Sequence, residues 1–407
     1  MSTAVAAPTL TQTPLKAIEP AREGMDRKLL FLLTLTAVIC TGNVYFAQPL
    51  LGRIATEFGR APGSVGFIPT LSQLGYVSGL LFLTPLGDSL EKKKLLVSLL
   101  IAASVGLFLF AVSPTFAFLS VSAFLIGLTA VLTQILIPFV AVLSTPKERG
   151  KNLGVLLSGA LIGVLISRTL SGVLGEHIGW RGVFFVASAT MLIFSALLAI
   201  VLPKHEPETR LSYHRLLHSV WLLYKRVPGV RAIAINGALC YGALSGFWAS
   251  LAFYLQSPAY HQGPALAGEF GLVGAVGALG ANISGRYSER IGSRKLVQIC
   301  VYMMMAAFLI LMFFGKHLSG MIAGVIVLDL FAQSATVSNQ TQLYTLNSDA
   351  KTRLNTIYKM FYFTGGAIGS AVSAISWQHF GWNGVCGAAL LFLLAALAWE
   401  RISPLSQ

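Results

Sequence analysis

Charge is scarce in this chain. Only 11% of its 407 residues are Asp, Glu, Lys or Arg, and just 15 are acids. A soluble domain carries about 25% charged residues, whereas 55% of this chain is hydrophobic. A soluble fold of this size could not hide that much apolar surface, so lipid must cover much of it. Cysteine is also rare. Cys40, Cys240, Cys300 and Cys386 lie in apolar stretches, without metal-ligand spacing and outside the loops where disulfides form. This excludes a disulfide scaffold and a cysteine metal site. The chain also lacks a P-loop, a His-Glu-x-x-His and a Gly-x-Ser-x-Gly sequence. Direct use of ATP and the common nucleophile or zinc chemistries are therefore not expected, nor is any cofactor.

Apolar runs dominate what remains. Twelve spans long enough to cross a hydrocarbon core of about 30 Å are read at 29–48, 65–86, 95–112, 117–142, 153–174, 182–202, 232–256, 265–284, 296–315, 319–343, 354–376 and 383–400. The expected fold class is an all-α polytopic membrane protein with twelve transmembrane helices in two six-helix halves. Residues 1–28 are polar and proline-bearing and read as a disordered tail. Residues 29–202 and 232–401 read as the two halves, 203–231 as a charged linker, and 402–407 as a short tail.

The net charge of +14 does not point to nucleic acid, because the bases are sorted by loop. Of the 29 Lys and Arg, 23 fall in the tails and alternate loops that share one side. The loops on the other side hold four: Arg53, Arg60, Arg181 and Lys316. The positive-inside bias puts both termini in the cytoplasm. The basic charge then reflects topology and anionic lipid.

Two features recur about 200 residues apart. Asp88, Lys93 and Lys94 in one short loop fall on Glu289, Arg294 and Lys295 in another. Gly163 with Gly179-Trp180 matches Gly365 with Gly381-Trp382. Glycine is concentrated in the second, fifth, eighth and eleventh spans, where it lets helix backbones approach closely in lipid. These spans are expected to form the interface on which the halves rock. The glycines at 268–280 follow no strand, which removes a dinucleotide-binding reading.

The duplicated loop resembles the signature of the major facilitator superfamily, Gly-x-x-x-Asp-Arg/Lys-x-Gly-Arg/Lys-Arg/Lys. The second copy carries Gly285, Glu289, Arg290, Gly292, Arg294 and Lys295. The first keeps Asp88, Lys92 and Lys93 and departs at Thr84, Ser89 and Glu91. Asn43–Leu51, Arg168–Gly172 and Val337–Gln340 resemble the bacterial efflux branch, related to sugar and nucleoside exporters and drug:proton antiporters. The resemblance implies a proton-coupled antiporter that exports a small molecule across the bacterial inner membrane and works as a monomer. An importer or symporter of the same fold is the alternative, with a membrane-embedded enzyme or sensor as the reading from a different class. It further implies a cytoplasmic gate at Asp88, Lys92, Lys93, Glu289, Arg290 and Arg294. It makes the first, fourth, seventh and tenth helices the cavity-lining set.

Four ionisable residues fall within spans: Arg168, Glu269, Asp329 and Lys359. Each costs at least about 2.5–3.5 kcal/mol at mid-membrane, so each should face a cavity or a partner. At 1.5 Å per residue, Arg168, Glu269 and Asp329 share a depth of roughly 21–22 Å from the basic side, and Lys359 lies roughly 8 Å in. The resemblance to the superfamily implies that the fifth and eighth helices pack together with the tenth nearby, so Arg168 is expected to pair with Asp329, Glu269 or both. A carboxylate that trades an arginine for a proton is a coupling device, with Asp329 the first choice and Glu269 the second. Gln333, Thr336 and Gln340 follow Asp329 at helical spacing. Asn43, Tyr45, Gln48, Gln134, Tyr241, Trp248 and Asn339 complete the expected cavity lining, with Pro138 as an expected kink.

Overall fold

The computed structural model describes residues 25–203, 222–225, 227–277, 280, 284, 287, 288, 290–346 and 351–403. The tail assigned to 1–28 and the linker assigned to 203–231 lie mostly outside the described residues. Helices run in the order α1 (Arg27–Gly42), α2 (Leu51–Glu57), α3 (Pro62–Val65), α4 (Phe67–Phe82), α5 (Leu86–Ser89), α6 (Lys92–Ala111), α7 (Phe116–Thr129) and α8 (Leu132–Leu143). They continue with α9 (Arg149–Val201), α10 (Pro228–Gln256), α11 (Pro264–Gly274), α12 (Ser293–Phe314), α13 (Leu318–Leu346) and α14 (Lys351–Ile402).

Eight helices among the described residues are long and apolar enough to cross a membrane. Two of these, α9 and α14, are each long enough for two crossings. Each is broken by a left-handed glycine, Gly179 at φ 72° and Gly381 at φ 59°. Only glycine takes that conformation without a Cβ penalty. The duplicated Gly-Trp pairs are thus the hairpin bends that reverse the chain at one end of each half.

Two spans differ from the sequence reading. The span expected at 29–48 ends as a helix at Gly42, turns through Asn43–Ala47 and restarts as α2. The fourth span breaks at Ala130–Val131, eight residues before Pro138, which lies inside α8. Both residues at the break keep right-handed helical dihedrals, and Pro138 removes one hydrogen bond inside α8.

Two apolar cores form. One is built from residues between Leu33 and Leu202, with Phe253 added. The other is built mainly from residues between Val230 and Ala396 and takes in Val44, Tyr45, Tyr76, Leu80, Ala130 and Val131 from the first half. Large apolar side chains such as Leu192, Ile200, Phe313 and Leu391 stay exposed, as a lipid-facing surface requires. The halves meet through glycine. A Cβ on Gly172 would strike the backbone of Pro264 and Gly268, and one on Gly66 would strike Ala374. These contacts pack α9 on α11 and the start of α4 on α14, the helices expected to carry the interface.

Candidate functional site

Between the cores lies a cavity of about 480 Å³. The turn after α1, together with α4, α8, α9, α10, α13 and α14, supplies its walls. Its inner end is marked by Arg168, Trp248 and Asp329, and it extends to Leu157, Tyr344 and Asn355 toward the basic loops.

Arg168 and Asp329 are both buried, at 7% and 5% exposure. They do not form a direct ion pair. Arg168 Nε donates to Gln48 Oε1 at 2.8 Å. Its guanidinium lies 4.9 Å from the Tyr45 ring centre and 4.0 Å from that of Trp248. Trp248 Nε1 in turn donates to Asp329 Oδ1 at 3.4 Å. The indole therefore stands between base and acid, with its π face to the cation and its N–H to the carboxylate. This matches the quadrupole of an aromatic ring at both contacts. Asp329 Oδ2 has no hydrogen-bond partner in the protein. It occupies space that exists because residue 274 is glycine: a Cβ there would come within 2.5 Å of it.

Glu269 is placed differently from its expected position. It is exposed, while its neighbours Gly268 and Gly271 press against Arg168 and Thr169. On a helix of 3.6 residues per turn, seating those glycines on α9 turns residue 269 away. The expected Arg168–Glu269 pair is absent. Gly268 and Gly271 do lie level with Arg168, whereas rotation about the helix axis depended on which face the glycines packed.

Of the other expected lining residues, Tyr45, Gln48, Gln134, Tyr241, Trp248, Gln333 and Gln340 reach the cavity. Asn43 and Asn339 do not line it. Asn43 Nδ2 contacts Met191 Sδ at 3.6 Å, and Asn339 Nδ2 donates to Asn236 Oδ1 at 3.2 Å. Thr41, Tyr45 and Gln48 line the cavity at helical spacing, which leaves Asn43 on a different face. Sequence reasoning missed Tyr76, Tyr362 and Phe363, which it took as ordinary apolar-span residues. Tyr241 and Tyr362 stack at 3.8 Å and Tyr76 lies 4.2 Å from Phe363. Lys359 also lines the cavity; its sequence signal was its charge inside a span.

The end opposite the basic loops is closed. Thr169 Oγ1 donates to the Gly268 carbonyl at 2.8 Å, and Thr70 Oγ1 to that of Ala367 at 3.2 Å. Gln73 Nε2 donates to Ser245 at 2.9 Å and Ser370 at 3.2 Å. Each bond joins the two halves.

At the basic end, two of the expected gate residues are tied within their own halves. Lys93 Nζ donates to the Leu202 carbonyl at 2.8 Å. Arg294 Nη2 donates to the Glu400 carbonyl at 2.9 Å, and its Nε lies 3.6 Å from Glu400 Oε1. A base at a helix C-terminus satisfies free carbonyls and the helix dipole. Lys92 is buried with its Nζ 6.0 Å from the Phe139 ring centre, and Arg290 is exposed. Glu289 lies outside the described residues, as does the side chain of Asp88.

The Major Facilitator Superfamily model matches residues 30–370. An uncharacterized transporter of Escherichia coli O157:H7, YgaY, is 39% identical over 374 residues, covering 92% of this chain and 95% of that protein. Among solved structures, the nucleoside transporter NupG superposes with a TM-score of 0.76 at 14% identity, covering 91% of this chain and 99% of that one. A bacterial homolog of the human lysosomal transporter Spinster, in an inward-facing and unoccupied conformation, superposes with a TM-score of 0.74 at 14% identity, covering 92% and 96%.

Proposed function

Because the chain belongs to the Major Facilitator Superfamily and is a multi-pass membrane transporter, we propose that it is a proton-coupled antiporter exporting a small organic solute by alternating access. In this reading the basic loops lie in the cytoplasm of a bacterial cell, and the positive-inside bias of Lys and Arg supports that orientation. Both termini are cytoplasmic, the membrane is the inner membrane, and the unit is a monomer. In this orientation the cavity reaches the cytoplasm and the structure is the inward-facing state.

The observation that carries the reading is the Arg168–Trp248–Asp329 arrangement. Asp329 is the acidic side chain among the described cavity-lining residues, and one of its oxygens is free of protein partners. A proton arriving on that oxygen removes the negative charge opposite Arg168. It also weakens the hold of the indole N–H, which binds a carboxylate more strongly than a neutral acid. Cargo and proton then act on one aromatic-lined site whose inner wall joins both halves. The closed end includes a few hydrogen bonds between the halves, each worth about 0.5–1.5 kcal/mol net. Such a set biases a two-state equilibrium without locking it.

The test uses purified transporter in proteoliposomes with an imposed pH gradient and a panel of organic anions, organic cations, sugars and nucleosides. Wild type is expected to move at least one class against its gradient. Asp329→Asn is expected to lose that driven movement while retaining cargo binding. Full gradient-driven transport by Asp329→Asn sinks the assignment, and wild-type movement indifferent to the gradient removes proton coupling.

A further inference from the structure

Arg168 has Asp329 beyond the Trp248 ring, but the second cation of the cavity has no such counterpart. Lys359 lines the cavity and is half-buried. Among the described residues it makes no ion pair or hydrogen bond; its contact is the Tyr362 ring, whose centre lies 5.2 Å from Nζ. Lys93 and Arg294, also toward the basic side, reach helix-end carbonyls. Lys359 does not, so neither a counter-charge nor a cap accounts for it. A charge kept within a membrane span is costly and marks a functional position.

Asn355 precedes Lys359 by one helical turn on α14 and lines the same cavity. Tyr344 donates its hydroxyl to Asn355 Oδ1 at 3.3 Å. This occupies the amide oxygen and leaves the amide N–H groups as donors. An ammonium and an amide N–H pair on one face form a donor set for a carboxylate, sulfonate or phosphate. The aromatic walls point to the rest of the ligand. Tyr241 stacks on Tyr362 and Tyr76 lies against Phe363, giving flat apolar surfaces beside the donors. Rings can also attract an organic cation. Here protein cations already lie over Tyr45, Trp248 and Tyr362. Arg168 and Lys359 outnumber Asp329 among the charged lining residues, so a cationic cargo meets net repulsion.

We propose that Lys359 and Asn355 form an anion subsite at the open end of the cavity, and that the cargo is an amphiphilic organic anion with a planar apolar ring. The proposal rests on this cavity being the transport site and is independent of proton coupling at Asp329.

The experiment measures saturable binding to the full-length protein in lipid nanodiscs. The probes are 1-naphthoate, its neutral isostere 1-naphthalenemethanol and the cation 1-naphthylmethylamine. The expected result is naphthoate binding at least about tenfold tighter than the amine. Lys359→Met should weaken naphthoate about tenfold while leaving the alcohol within about twofold. Lys359→Arg should keep naphthoate within about threefold, because it preserves the charge. Naphthoate binding is measured at fixed pH without a gradient, and gradient-driven transport in proteoliposomes, so loss of anion selectivity and loss of proton coupling are read separately. Non-saturable naphthoate, an amine that binds as tightly, or unchanged naphthoate affinity in Lys359→Met overturns the proposal. The wild-type order of the three probes decides it even if Lys359→Met fails to fold.

Discussion

A side chain at Gly163 would run into the carbonyl of Val38, and one at Gly365 into the carbonyl of Ala238. The two glycines are 202 residues apart, and they do the same work in opposite halves: each lets a long helix lie backbone to backbone on the first helix of its half. Lys93 of α6, which reaches the end of α9, and Arg294 of α12, which reaches the end of α14, are equivalent in the same way, as are the bends at Gly179 and Gly381. Five residues beyond each of the first pair, the equivalence fails. Arg168 faces the cavity, whereas Ser370 bonds Ser245 at 2.8 Å. Asp329 faces the cavity, whereas its counterpart Gly127 is pressed so closely on the Ser72 carbonyl that no side chain fits. The frame is duplicated and the charged centre is not.

The largest test of this comparison removes the asymmetric acid. Asp329→Asn should lower transport driven by a pH gradient at least about tenfold, measured as initial rate in proteoliposomes. Gly127→Asp should not rescue it, because residue 127 has no cavity to face. Next come the paired glycines. Gly163→Leu and Gly365→Leu should each destabilise the protein by about 1–3 kcal/mol or more through overpacking, read as a fall in melting temperature. Gly154→Leu, where a side chain meets open space, should have little effect. A large difference between the two paired variants would break the equivalence.

Arg168→Lys should reduce transport about tenfold. Lysine keeps the charge but cannot both donate to Gln48 and fill the space between the Tyr45 and Trp248 rings. Rates in Arg168→Lys and Arg168→Ala separate charge from shape. Lys93→Ala and Arg294→Ala should each cost about 0.3–1 kcal/mol as lost helix-end contacts. The smallest effect belongs to Glu269→Gln. Its exposed position predicts transport within about twofold of wild type, and a Glu269→Gln variant without proton-driven transport would return this residue to the coupling site.

Much of the frame was legible because its signals are periodic or local. A run of apolar residues needs no partner to be recognised, and a Gly-Trp pair repeats whether or not its bend is known. The stripe from Asp329 through Gln333 to Gln340 was legible for the same reason: α13 is continuous across it, so spacing fixes a common face. Asn43, Asn339, Glu269 and the aromatic wall were not legible in this way. Their facing depends on which side of each helix its neighbours claim. Asn43 falls off the face shared by Thr41, Tyr45 and Gln48. The glycine face of α11 turns Glu269 away, and Tyr362 and Phe363 line the cavity only because α14 packs beside α10 and α4.

The sequence by itself determined an apolar all-helical chain, the sorting of its bases into alternate loops, the duplication, and the position of each charge along its helix. These follow from composition, spacing and a rise of 1.5 Å per residue. Only the tertiary structure decided how each helix is rotated, and with it that a tryptophan stands between Arg168 and Asp329, and that Lys359 faces the cavity without a carboxylate. Rotation is set by close backbone contact at glycines on neighbouring helices, and one chain read in order does not say which faces will meet.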